Sequence, residues 1–195
     1  VRQRCAASVP EESSPVGRAF EAAREVLGYP ADPNVECVVH TNGLSGSGLG
    51  TSSALIVAML TALGSWYGRP LAGTELARLA YLVERERLGQ LGGAQDQYAA
   101  AIGGVNLIEF GANGTGIARP LQLPPGTVRR LESSLLLCDT GVRRDSGAVL
   151  RGQVARVEVR DAPSIEALHR MKALAVEMRD LLLVGDIAGF GELMG

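Results

Sequence analysis

An α+β fold is predicted for this chain of 195 residues. Its candidate elements run strand, helix, helix, strand and then strand, helix, helix, which is a layered α+β order. Glycine and proline clusters separate them at regular intervals. The composition, 46% hydrophobic and 21% charged, is that of a globular protein able to bury a core.

Each element has a local cause. Residues 12–28 form an amphipathic helix with Val16, Ala19, Phe20, Ala23, Val26 and Leu27 on one side, stopped by Gly28-Tyr29-Pro30. Val35 to His40 is a short strand. Residues 52–67 are apolar nearly all round and read as a buried helix, with Trp66 and Tyr67 in the core. Thr74 to Leu88 is a helix with Thr74 as N-cap and Leu76, Leu79, Ala80 and Val83 inward; Gly89 stands where a C-terminal cap belongs. Asp96 to Ile102 is helical and Val105 to Phe110 a strand. Residues 111–127, rich in Gly, Pro, Asn and Thr, read as a connection. The expected lobes are therefore 1–125 and 126–195. In the second, Ser134 to Cys138 is a buried-type strand, and helices follow over 145–156, 164–184 and 187–194.

Bulk properties exclude several functions. A net charge of −2 supplies no attraction to nucleic acid or an anionic membrane. No apolar run approaches the roughly 18 residues of a membrane-spanning helix. Val1-Arg2-Gln3-Arg4 is followed by no apolar stretch, so no signal peptide is expected. Cys5, Cys37 and Cys138 are scattered without metal-ligand spacing, and thiols in a reducing, cytoplasmic setting are expected. His40 and His169 are isolated and read as structural. The chain begins without methionine and stops inside a helical segment, so both ends read as cuts in a longer protein.

The strongest local signal is Gly43-Leu44-Ser45-Gly46-Ser47-Gly48-Leu49-Gly50-Thr51-Ser52-Ser53-Ala54, between a strand and an apolar helix. Glycines let backbone approach a ligand, and the helix that follows offers unpaired N–H groups and a positive dipole end. Together these suit phosphate. Lacking Gly-Lys-Ser/Thr, the loop is not a Walker A loop; the dinucleotide fingerprint also fails, since Thr51 stands at the third glycine position. The bland alternative is a flexible loop with a Ser/Thr cap.

A second signal is Glu84 with Asp96. Alone, Glu84 could be a solvated helix charge and Asp96 a helix cap. In combination with the loop they match what phosphoryl transfer from ATP needs. The loop cradles anions, Ser52 and Glu84 can hold magnesium, and Asp96 can act as base. Arg143 and Arg144 follow a strand end and are either solvated charges or a clamp for a substrate phosphate.

At these residues the sequence resembles the GHMP kinases, the group of galactokinase and homoserine, mevalonate and phosphomevalonate kinases. Gly46 to Ala54 is similar to their second signature motif, with Leu44-Ser45 where proline is usual, and the Glu84–Asp96 spacing is similar to their magnesium glutamate and catalytic aspartate. Gly92-Gly93-Ala94-Gln95-Asp96-Gln97-Tyr98 through Asn106, Asp139 to Arg144 and the helix around Lys172 resemble the D-glycero-D-manno-heptose 7-phosphate kinase branch. The resemblance covers roughly residues 35–195. It implies two lobes, one like ribosomal protein S5 domain 2 and one ferredoxin-like, each incomplete, with an acceptor-binding motif expected before this segment and a glycine-rich motif after it. It further implies an ATP- and Mg2+-dependent enzyme that phosphorylates a small sugar or sugar phosphate. The implied roles are Asp96 as catalytic base; Gly46, Ser47, Gly48, Leu49, Gly50, Thr51, Ser52 and Ser53 on the nucleotide; Ser52 and Glu84 on the metal; and Gly93, Gln97 and Arg144 on the acceptor. Two alternatives stand beside it: a kinase for a free sugar such as fucose or galactose, and a nucleotide-binding relative without catalysis. This segment alone is expected to be an incomplete enzyme.

Overall fold

The fold is described from a computed structural model covering residues 2–6, 14–31, 35–40, 48–111, 114–138 and 146–195. The elements in order are β1 (Arg2–Ala6), α1 (Pro15–Leu27), β2 (Glu36–His40), α2 (Thr51–Trp66), α3 (Gly73–Tyr81), a π-helical turn (Leu82–Arg87), α4 (Gln95–Ile102), β3 (Asn106–Phe110), β4 (Gly116–Pro120), α5 (Thr127–Ser134), α6 (Ser146–Glu158), α7 (Ala162–Val184) and α8 (Ile187–Met194). β1 pairs antiparallel with β2, Arg2 opposite His40 and Ala6 opposite Glu36. β3 pairs with β4. The chain divides into two compact units: residues 1–103, 108–118 and 143–147 form one, and 104–107, 119–142 and 148–195 the other.

The first unit is built on α2. Ser53, Ile56, Val57, Leu60, Leu63 and Gly64 recur at helical spacing and are buried. They pack against Phe20, Ala23 and Leu27 of α1 and Leu76, Leu79, Ala80 and Val83 of the α3 segment. α1 is delimited as the sequence predicts: the Ser14 hydroxyl accepts from the Gly17 amide at 2.9 Å, and Gly28 takes a left-handed φ of 72°. A second cluster joins Ala77 to Ala94 and Tyr98 of α4. There the Tyr98 hydroxyl accepts from the Gly116 amide at 2.9 Å, and Phe110 meets the Tyr98 ring edge-on.

The fold differs from expectation at definite places. α2 is not buried all round. Its outer face, with Ala54, Ala58, Thr61 and Ala62, is small and exposed, so its high apolarity comes from alanine rather than from two packed faces. Tyr67 continues the core face and stacks on Tyr29 at 4.0 Å, whereas Trp66, about 100° further round the helix, is 67% exposed rather than in the core. The helix expected from Thr74 begins at Gly73 after Ala72, with no side-chain cap, and changes from α to π geometry at Leu82. The Leu88 amide accordingly reaches the Val83 carbonyl, five residues back, at 3.0 Å. The connection over 111–127 contains β4.

In the second unit α8 packs on α7 and α5 on α8. The Asp161 carboxylate caps α7, accepting from the Ser164 hydroxyl and amide, and these bonds, with Arg156 nearby, hold its carboxyl below the usual carboxylate range. Thr127, 1% exposed, sits where α5 meets Gly185. Leu135, Leu136 and Leu137 are not a buried strand: all three are more than half exposed, and among the described residues no strand pairs with them. An apolar run becomes a buried strand only when a neighbour supplies hydrogen bonds and a covering face. Among the described residues no helix is long and apolar enough to cross a membrane.

Gly64 gives a direct test of the α2 packing. A Cβ there would lie 2.5 Å from the Arg69 carbonyl oxygen and 3.2 Å from Leu71 Cγ. The Arg69 amide already bonds the Gly64 carbonyl at 2.7 Å, so the backbone has little room to retreat. Gly64→Ala is therefore expected to cost about 1–3 kcal/mol, read as a lowered midpoint in urea unfolding with an unchanged slope.

Candidate active site

The helix that follows the glycine-rich loop begins at Thr51, one residue from the expected start. Gly50 is its N-cap, left-handed at φ 67°, and among the described residues no side chain caps the helix. Gly46 and Ser47 lie outside the described residues; Gly48 is also left-handed, and Leu49 is 58% exposed. Thr51 is half-buried and Ser52 exposed. An open, uncapped helix N-terminus after a left-handed glycine has the donor arrangement that binds anions.

Asp96 stands beside it. A Cβ built on Gly50 would lie 3.4 Å from Asp96 Cγ and 3.6 Å from Oδ2. The carboxylate thus flanks the start of α2, although 46 residues separate the two in sequence. Asp96 sits in the first turn of α4, whose N-cap is Ala94, so it does not serve as that helix's cap.

Glu84 is not a solvated helix charge. It is 2% exposed, and its Oε2 accepts from the Ser53 hydroxyl at 2.7 Å and from the Gln97 amide at 2.5 Å. Its Oε1 lies 3.9 Å from Arg85 Nη1. A carboxylate removed from water needs such donors. The sequence points to Glu84 and Ser52 as ligands of one magnesium ion; the hydroxyl that bonds Glu84 directly is that of Ser53. Ser53 lies on the same face as Ile56, Val57 and Leu60, so its side chain points inward. The Ser52 hydroxyl, one position round the helix, faces Gln90 Oε1 at 3.5 Å. Gln97, expected at the acceptor, is fully buried and donates to Glu84; among the described residues its Oε1 has no hydrogen-bond partner. Gly93, also expected there, is exposed, with its carbonyl bonded to Arg85. Arg143 and Arg144 lie outside the described residues.

The donor chemistry fits magnesium in kind. The site offers hard oxygens: the Glu84 carboxylate, the serine hydroxyls at the α2 start, and the unpartnered Gln97 Oε1. No group of three or more His, Cys, Asp or Glu gathers among the described residues, so an ion here would take few protein ligands. That is the habit of magnesium, which keeps water and substrate phosphate in its shell.

Sequence reasoning missed Arg85 and Gln90. Arg85 looked like one of four alternating charges in Glu84-Arg85-Glu86-Arg87, and the π-helical turn that aims it has no periodic signature.

The partition between the two serines is measurable. Ser53→Ala removes one donor from a buried acceptor and is expected to cost about 1–3 kcal/mol in chemical unfolding. Ser52→Ala alters an exposed hydroxyl and is expected to stay within about 0.5 kcal/mol of the parent.

Comparison with known proteins bears on the family and the fold. Residues 14–104 match the family described as GHMP kinases N terminal domain. A D-glycero-alpha-D-manno-heptose 7-phosphate kinase of Campylobacter jejuni is 38% identical over 151 residues, 77% of this chain and 44% of that protein. An L-fucokinase/L-fucose-1-P guanylyltransferase of Bacteroides fragilis is 31% identical over 153 residues, 77% of this chain and 16% of that protein. The crystal structure of a D-glycero-D-manno-heptose 1-phosphate kinase from Bacteroides thetaiotaomicron superposes with a TM-score of 0.76 at 33% identity, over 97% of this chain and 55% of that one. The chain thus spans less than half the length of these two curated relatives. The α+β arrangement is the GHMP kinase fold, and over residues 14–104 this chain is a GHMP kinase N-terminal domain.

Proposed function

We propose that this chain carries the phosphate-binding and proton-accepting part of an ATP-dependent kinase for a sugar phosphate, with a heptose 7-phosphate-like acceptor. One observation supports it above the others: the Asp96 carboxylate lies against Gly50, at the uncapped start of α2. A base and an anion cradle at one point are what transfer of a phosphoryl group to a hydroxyl requires.

The α2 amides and the loop from Gly46 to Ser53 hold the ATP phosphates. Asp96 orients the acceptor hydroxyl and takes its proton as the new O–P bond forms, and the bond from the γ-phosphorus to the bridging oxygen breaks to leave ADP. Glu84 and Ser52 are the proposed magnesium ligands, with Ser53 and Gln97 fixing the Glu84 carboxylate. Magnesium, when bound, would neutralise phosphate charge. Arg144 is the proposed partner of the acceptor's own phosphate and Gly93 a backbone neighbour of the sugar. An ATP-consuming sugar kinase of this type would work in the cytoplasm. A free-sugar kinase is the second reading, supported by the 31% identity to the fucokinase protein.

The decisive variant is Asp96→Asn in the full-length protein. Asparagine keeps size and polarity but is not a base. Turnover is expected to fall about 10²–10⁴-fold while ATP affinity changes little. Coupled ADP release with heptose 7-phosphate or with fucose as acceptor reads the rate and chooses between the two acceptor classes; nucleotide affinity is measured separately by titration calorimetry. Retention of more than about a tenth of turnover would rule out Asp96 as the base.

A further inference from the structure

The mechanism above leaves Arg85 without a part, although its side chain is among the most heavily bonded near the site. Only 13% exposed, it reaches from the π-helical turn to the loop before α4. Nε and Nη2 donate to the Gly93 carbonyl at 3.3 and 2.9 Å, and Nη1 donates to the carbonyls of Leu91 at 3.1 Å and Gln90 at 3.4 Å. One rigid fork thus collects three consecutive-turn carbonyls that no helix or sheet satisfies. Gly92 makes room for it: a Cβ there would lie 2.6 Å from Nη2, and its φ of 150° is one that residues with side chains rarely adopt.

The loop so held leads directly into α4, whose first turn carries Asp96. The other end of that arrangement is fixed by Glu84, which bonds Ser53 of α2 from the same π-helical turn. Adjacent residues of one turn therefore hold the two sides of the site. Glu84 ties the turn to the anion-binding helix, and Arg85 ties it to the segment presenting the carboxylate.

We propose that Arg85 is a positioning residue that sets where Asp96 stands relative to the start of α2, and that its contribution to phosphoryl transfer runs through Asp96 rather than through its longer 3.9 Å approach to Glu84. This rests on the reading of Asp96 as the base. A displacement of about 1 Å at a reacting group can cost about 10²-fold in rate, so the clamp matters to turnover while the nucleotide cradle, built on α2, does not depend on it. Lysine is no replacement, because a compact ammonium cannot span three carbonyls as a planar fork does.

The test uses the full-length protein with ATP, magnesium and its best sugar-phosphate acceptor. Arg85→Ala is expected to lower kcat about 10–100-fold with ATP affinity within about threefold, and Arg85→Lys to behave nearly as poorly. In an Asp96→Asn background, Arg85→Ala is expected to cause no further loss, since the group it positions is already disabled. Gly92→Ala, which pushes the fork aside, should reproduce the Arg85→Ala rate. Hydrogen exchange is followed in parallel: amides over 90–98 should exchange faster in Arg85→Ala while those of α2 keep their protection. An Arg85→Ala enzyme with more than half the parent kcat overturns the proposal, as does an equal further loss in the Asp96→Asn background, or unchanged exchange over 90–98. A fully active Asp96→Asn enzyme, or a full-length protein that phosphorylates no sugar acceptor, defeats the functional reading and this proposal with it. The exchange data then report separately whether Arg85 holds the loop.

Discussion

A carboxylate with 2% of its surface exposed cannot be left to water, and the first unit is organised around meeting that need for Glu84. Its two donors arrive from different helices, Ser53 from α2 and Gln97 from α4. Because the carboxylate sits on the turn that continues α3, three helical segments converge on a single oxygen atom. Removing either donor would leave a buried acceptor underpaired, and such deficits commonly cost more than the bond itself contributes. The apolar contacts of Ile56, Leu60, Leu79 and Val83 supply bulk burial around this point, but they are non-directional. The hydrogen bonds to Glu84 are directional, and they tie α2 and α4 to the turn that lies between them in the chain.

That arrangement separates two kinds of polar group that sequence reasoning tends to merge. Ser53, Glu84 and Gln97 are polar and buried, and they act on one another. Thr51, Ser52 and Asp96 are polar and at least partly open, and they are free to meet a ligand. A residue of the first kind shapes its surroundings from within; one of the second kind is accessible from outside. Gln97 shows the distinction well, since it lies one position from Asp96 yet has no exposed surface.

Much of the first unit could be read from the chain because its punctuation is chemical. Gly28 and Gly89 stop helices in the left-handed conformation that other residues resist, and the Gly48–Gly50 stretch opens the helix it was expected to open. What could not be read depended on phase or on partners. Assigning the Glu84 bond to Ser52 or Ser53 needs the rotation of α2 to within one residue. The change to π geometry at Leu82 leaves the buried positions Leu76, Leu79, Ala80 and Val83 where an α-helix would put them, so the apolar pattern carries no trace of it. Leu135 to Leu137 illustrates the partner problem, since three leucines in a row announce burial without saying against what.

The π-helical turn also acts as a gauge of length. Adjacent residues of a helical turn leave it in different directions, and here those residues are Glu84 and Arg85. The stretch from the turn to Gly93 is spanned by a single side chain of fixed reach, that of Arg85. Its residues can therefore be exchanged far more freely than they can be added or removed. A one-residue insertion or deletion between 86 and 95 would put the Asp96 carboxylate out of register with the start of α2, and at Gly92 even a methyl group would meet the fork.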